Sequence, residues 1–191
     1  MKEFTNLLLS MIIMGFGVNY IYKNLNMTWV TSTIDNRSYR VRKLDDKQDA
    51  ADMLAKISNH LTRLVDHTYT TDPSKEGVQQ LKDNFNSHNI IENAPGGTYT
   101  AYSVNKGEQL ALCLRNADND KFVEMNLVLF VAIHELAHIM TDEVGHTPKF
   151  WANMEYLLRK GESIGVYTPE DYSKNPKMYC GLEINSTPYK F

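Results

Sequence analysis

Two histidines and a glutamate stand at a spacing that suits metal-assisted hydrolysis. The sequence reads His134-Glu135-Leu136-Ala137-His138, and residues four apart on a helix project from the same face. Two imidazoles on one face can bind one Zn²⁺, each at about 2.0–2.1 Å. Glu135 stands beside the first ligand, where its carboxylate can accept a proton from a zinc-activated water. This HExxH pattern predicts a zinc peptidase with Glu135 as general base.

A catalytic zinc ion needs a third protein ligand and one open position. We favour His146, because Gly145 directly before it allows the chain to turn back towards the helix. Glu155, in the next predicted helix, is the alternative ligand, and its simpler interpretation is a surface charge. The predicted ligand set is therefore His134, His138 and His146.

Two further roles have candidates after the motif. A peptidase needs a hydrogen-bond donor for the developing oxyanion, and Tyr167, Tyr172 or Tyr179 could supply it. The chain has 11 tyrosines, so each of these is better explained by packing. Met178 could form an apolar floor under the metal, with an ordinary core methionine as the simpler interpretation.

Composition indicates a globular protein. The chain has 191 residues, 42% of them hydrophobic and 23% charged, which fits one domain with a short appendage. A net charge of −3 gives no bulk electrostatic reason to bind nucleic acid. Cys113 and Cys180 are far apart and form no CxxC pair, so we predict two buried thiols and a reducing compartment, with a single disulfide as the alternative.

The N-terminus differs from the rest. Residues 7–22 carry no charge, and a helix over residues 4–22 is just long enough to cross a hydrocarbon layer of about 30 Å. We predict a membrane anchor over residues 1–23; a cleaved signal peptide or a buried core helix is the alternative. Basic residues follow it, namely Lys23, Arg37, Arg40, Arg42 and Lys43. They predict a juxtamembrane linker over residues 24–44 and a single-pass protein whose domain, residues 45–191, is cytoplasmic.

The periodicity of that domain predicts mixed helices and strands. A core-facing helix should begin after Asp45 or Asp46. Two strands, 99–104 and 108–114, should form a hairpin around a turn with Asn105 and Gly107. An apolar helix should run into the HExxH motif, and Thr147 with Pro148 should begin the next helix. The C-terminal tail should be irregular.

The sequence around the motif resembles the WLM and SprT-like zinc metallopeptidases. The resemblance is carried by HELAH and by the later run His146-Thr147-Pro148-Lys149-Phe150-Trp151. It implies a zincin-like α+β fold, a minimal metallopeptidase domain with a small antiparallel sheet and the HExxH helix. It also implies proteolysis, the three histidines as ligands, Glu135 as base, and a substrate-aligning edge strand at residues 110–114.

The sequence therefore predicts a membrane-anchored zinc peptidase, most plausibly an endopeptidase, that acts on a protein or peptide substrate. The alternative function is a non-proteolytic zinc domain that recognises a partner at the membrane. A glutamate beside the first ligand favours catalysis, because a structural zinc site needs four ligands and no adjacent base. A structural membrane protein without metal is a third possibility.

Overall fold

The computed structural model describes residues 25–96 and 100–191. Its helices and strands form a mixed α+β fold, as the sequence predicts. The predicted membrane anchor lies outside the described residues. Within those residues, no helix has the length and apolar character needed to cross a bilayer.

The predicted linker contains a β-hairpin that belongs to the domain. Strands β1 (Met27–Thr31) and β2 (Ser38–Arg42) pair antiparallel. Tyr39 and Val41 are buried in the main core, and the backbone N–H of Arg42 donates to the Glu92 carboxylate at 2.6 Å. The linker prediction is therefore wrong for this hairpin, because alternate residues of β2 are apolar and cover the first long helix.

That helix, α1 (Lys47–Thr71), follows the predicted apolar stripe. Its buried residues recur at helical spacing and include Leu54, Ile57, Leu61 and Leu64. Asp46 stands at the N-cap position, but its side chain makes no capping hydrogen bond. The carboxylate instead accepts from Arg115 at 2.6 Å, so a long-range ion pair replaces the local cap.

The next helix, α2 (Val78–Asn84), packs against the first long helix and the HExxH helix, and a three-stranded sheet follows it in the chain. Strands β3 (Ile90–Glu92), β4 (Ala101–Val104) and β5 (Gln109–Leu112) are ordered β3-β5-β4. The β4–β5 hairpin is confirmed. However, β3 runs parallel to β5, so the sheet is mixed and the prediction of an antiparallel sheet is only partly right.

Two helices of similar length complete the core. Helix α3 (Met125–Met140) carries the HExxH motif and is buried over most of its length. Helix α4 (Pro148–Ser163) begins as predicted, with the Thr147 hydroxyl accepting from the Phe150 backbone N–H at 3.3 Å. The side chain of Asn153 in α4 donates to Thr141 at 2.9 Å, which fixes α4 to the end of α3.

The C-terminal tail contains a short hairpin, β6 (Lys177–Tyr179) and β7 (Leu182–Ile184). A disulfide between Cys113 and Cys180 joins it to the end of β5 and closes a separation of 67 residues. The prediction of two free thiols is wrong. The pairing also removes the cysteine argument for a reducing compartment, because disulfides persist mainly in oxidising ones.

Candidate metal centre and cleft

Three histidine side chains converge between α3 and α4. The Nε2 atoms of His134 and His138 are 3.2 Å apart, those of His138 and His146 are 3.2 Å apart, and those of His146 and His134 are 3.1 Å apart. Tetrahedral zinc with Zn–N distances of roughly 2.0–2.1 Å places its ligands about 3.3 Å from one another. The three nitrogens therefore fit one zinc ion, and the three residues form a potential metal cluster.

The same surroundings keep two of these imidazoles neutral. Burial, together with repulsion from the neighbouring histidines, lowers the pKa of His134 to about 3. Burial, the neighbouring His146 and the Lys106 ammonium lower the pKa of His138 to about 4. A neutral imidazole has the free lone pair that a metal ligand needs, so protons do not compete for these two nitrogens at neutral pH.

Glu135 lies beside the triad with 7% of its surface exposed. Without a cation nearby, burial raises the pKa of its carboxyl to about 7, and a hydrogen bond from the Ser103 backbone opposes the rise. A cation bound at the triad would also oppose it, because positive charge favours the carboxylate. The side chain is therefore held between α3 and β4, beside the three histidine nitrogens.

Phe150 forms an aromatic floor under the three histidines. Its ring centroid lies 4.8 Å from that of His134, 4.2 Å from that of His138 and 4.8 Å from that of His146, and the residue is fully buried. Met178, considered as a floor but more simply interpreted as a core methionine, is 54% exposed in β6, so neither interpretation holds. Sequence reasoning missed this role of Phe150, although its place in the first turn after the third histidine was the available signal.

The loop that brings His146 back to α3 is held by two lysines. Lys106, in the β4–β5 turn, donates to the carbonyl oxygens of Thr141 at 3.0 Å and Asp142 at 2.8 Å. Lys149 bridges Asp142 at 2.8 Å and Glu76 at 2.7 Å. Gly145 has a φ of 86°, a conformation that other residues adopt only with strain. The turn predicted at this glycine is therefore present.

A cleft of about 440 Å³ opens over the triad and Glu135. Residues of β4 and of the loop before His146 line its sides, namely Ala101, Tyr102, Ser103, Glu143, Val144 and Gly145. The predicted substrate strand, β5, pairs with β3 on one side and with β4 on the other. The edge strand beside the cleft is therefore β4, and the prediction that β5 aligns a substrate is wrong.

The other sequence candidates do not line the cleft. Tyr167, Tyr172 and Tyr179 are all buried in the core, and the Tyr172 ring contacts Phe130 at 4.7 Å. In the part of the chain that the structure describes, Tyr102 is the tyrosine that lines the cleft. Glu155 pairs with Arg159 at 3.0 Å and with Lys190 at 3.3 Å, so the structure places the alternative ligand in a surface ion pair.

These observations define the class of this protein, a small α+β domain in which three histidines, on and after the central helix, could hold a metal ion. The model of the WLM domain matches residues 33–189. The chain therefore belongs to the WLM domain family, and at the level of that family it is a zinc-dependent peptidase.

Individual proteins and one solved structure are also similar to this chain. An uncharacterized protein of Acanthamoeba polyphaga mimivirus is 34% identical over 83% of this chain and 82% of its own length. An uncharacterized protein of Invertebrate iridescent virus 6 is 27% identical over 67% of this chain and 70% of its own. The crystal structure of a Wss1 mutant from Saccharomyces cerevisiae has a TM-score of 0.51 at 20% identity, over 66% of this chain and 91% of that one. This last likeness concerns the fold.

Proposed function

We propose that this chain hydrolyses peptide bonds of protein or peptide substrates within the cleft over His134, His138 and His146, with Glu135 as general base. One observation carries the proposal. Three ring nitrogens converge to within 3.1–3.2 Å of one another, and a buried carboxylate stands beside them in an open cleft. A zinc ion held by these histidines would supply a water of pKa about 7 and a Lewis acid for the substrate carbonyl.

Each residue around the triad then has its own role in the proposed hydrolysis. The Glu135 carboxylate accepts the proton of the attacking water and delivers it to the amine that leaves. The hydrogen bond from the Ser103 backbone to Glu135 holds that carboxylate beside β4. Phe150 and the lysine-fixed loop hold the histidines in place, so little reorganisation is needed when substrate binds.

Strand β4 is the surface on which we place the substrate. It pairs with β5 along one edge, and its other edge faces the cleft. An extended peptide can add to such an edge through main-chain hydrogen bonds, with side chains directed alternately into pockets. This mode suits an endopeptidase, because it uses backbone on both sides of the bond to be cleaved.

Two matched variants test the proposal. Glu135→Gln is nearly isosteric but cannot accept a proton, so the variant should keep its zinc and lose hydrolysis of a peptide library. His146→Ala removes one of three ligands, so its zinc affinity should fall by about tenfold or more. Zinc content is measured on the purified full chain by atomic absorption. Loss of zinc from Glu135→Gln, or full activity in it, would contradict the assigned role.

We also propose that the N-terminal apolar segment anchors this domain to a membrane. The support for the anchor is the charge-free run at residues 7–22. The basic residues after it favour a cytoplasmic domain, whereas the Cys113–Cys180 disulfide favours an oxidising compartment. With a net charge of −3, we expect no direct nucleic-acid binding. The partners of the chain would then be a bilayer and a peptide or protein substrate.

A further inference from the structure

A second pocket lies on the side of α4, and one residue of its lining, Trp151, packs against the metal triad. It encloses about 540 Å³ between the first turns of α4 and the C-terminal tail, and it is lined by Pro148, Trp151, Ala152, Glu155, Thr187 and Pro188 among others. This volume is within the range of roughly 300–1,000 Å³ that is usual for small-molecule sites. Prolines, an indole and a methyl group give it a mainly apolar wall.

Trp151 joins this pocket to the metal site. Its ring centroid lies 5.4 Å from that of His146 and 6.2 Å from that of His134, and the same residue lines the pocket. Trp151 is 40% exposed, whereas the adjacent Phe150 is fully buried. A substrate side chain that crosses the His146 ring on this side would therefore reach the indole first and the pocket behind it.

The far wall of the pocket is fixed in place. Arg159 donates to the carbonyl oxygen of Lys190 at 2.9 Å, and its guanidinium stands 4.7 Å from the centre of the Tyr189 ring. These contacts hold residues 186–190 against α4. Because Arg159 fixes this wall in the absence of a ligand, the pocket keeps its shape when it is empty.

The charges around the pocket already have partners. The Glu155 carboxylate pairs with Arg159 at 3.0 Å and with Lys190 at 3.3 Å. A charged guest would lose its water and compete with these pairs, whereas an apolar guest gains from burial alone. The chemistry of the wall therefore favours an uncharged, apolar side chain.

We infer that this pocket is a specificity site that receives an apolar side chain of the substrate residue next to the cleaved bond. The inference rests on the proposed function, because it takes the triad as the place of cleavage. Trp151 lines the pocket and His146 lines the cleft. Their ring centroids are 5.4 Å apart, so the two recesses are neighbours across this pair of rings.

The test uses peptide hydroxamates, whose zinc-binding group is followed by Leu, Phe, Gly or Asp. Their affinities for the zinc-loaded full chain are measured by calorimetry, which needs no catalysis. The Leu and Phe compounds should bind at least about tenfold more tightly than the Gly and Asp compounds. Equal affinities for all four would overturn the inference.

Three variants test whether the preference for the Leu and Phe compounds comes from this pocket. Ala152→Phe fills the pocket from an exposed position and should abolish the preference without weakening the Gly compound. Trp151→Ala, which removes the shared wall, should reduce it as well. Ala117→Phe makes the same change at an exposed residue elsewhere and should leave the preference intact. A preference that survives Ala152→Phe would refute the pocket, while failure of every hydroxamate to bind would refute the zinc site itself, and with it the proposed function.

Discussion

Replacing Phe150 with leucine should weaken zinc binding without unfolding the domain. The Phe150 ring lies 4.2–4.8 Å from the three imidazoles, so it limits the directions in which those rings can turn. Leucine fills much of the same volume but offers no flat surface. The histidines of Phe150→Leu should therefore sample orientations in which their Nε2 atoms no longer converge.

The size of the effect follows from the contacts. Loss of a group that orients metal ligands typically costs about 10–100-fold in metal affinity. Because leucine keeps part of the packing, we expect the lower end, about tenfold, which corresponds to about 1.4 kcal/mol. Aromatic pairs of this kind contribute about 0.5–1.5 kcal/mol each beyond their buried area, so the free energy of unfolding should also fall.

A matched control separates the two effects. Phe130 is also buried in the core, one turn before His134 on α3, but its ring packs on Tyr167 and Tyr172. Phe130→Leu should lower stability and leave zinc affinity unchanged. Affinities are measured by competition with a chromophoric chelator, and the visible spectrum of the Co²⁺-substituted chain reports the ligand geometry. Equal zinc affinities and identical cobalt spectra in the two variants would refute the role of Phe150 as a floor.

Three other predictions concern stability and topology. Replacing Cys113 and Cys180 with serine should lower the free energy of unfolding, measured by urea titration, by about 4 kcal/mol, because this is the chain-entropy value for a closed loop of this size. Thiols that react in the native, unreduced chain would contradict the pairing. Burial, with the Arg63 charge adding to it, lowers the pKa of His60, so the unfolded state takes up a proton first and stability falls as the pH drops below about 6.5. His60→Leu should therefore flatten the fall in unfolding free energy between about pH 7 and pH 5, with His67→Leu as control, and an unchanged slope would reject this reasoning. Expressed in a eukaryotic cell, the full chain should resist carbonate extraction. If the basic residues set its orientation rather than the compartment that the disulfide favours, it should show no glycosidase-sensitive mass shift. A shift that vanishes when Asn36 and Asn185, both exposed, are replaced would place the domain in the secretory lumen, and release by carbonate would exclude the anchor.

Local signals in the sequence were sufficient for several elements. The apolar stripe of α1, the turn between β4 and β5, and the Thr147-Pro148 start of α4 depend on residues close in sequence, so periodicity and turn chemistry predict them. The approach of His146 to the motif was also predictable, because a seven-residue gap with Gly145 leaves the chain few ways to turn.

Long-range choices could not be read from the same signals. β5 looks like an edge strand until the short strand β3, some twenty residues earlier, pairs with its free side. Cys113 and Cys180 are brought together only by the path of the C-terminal tail, which the sequence pattern leaves open. Phe150 was a visible aromatic residue, but its contact with three histidines depends on the angle between α3 and α4.

The disulfide has a consequence for any chain that cuts itself. The covalent loop between Cys113 and Cys180 contains His134, Glu135, His138 and His146, and so encloses the whole candidate centre. A single break in the backbone anywhere inside this loop leaves both pieces attached to each other. Such a nicked molecule keeps the mass of the intact chain, apart from one added water, until a reductant separates the fragments. Self-cleavage near the cleft would therefore be visible on a reducing gel and invisible on a non-reducing one.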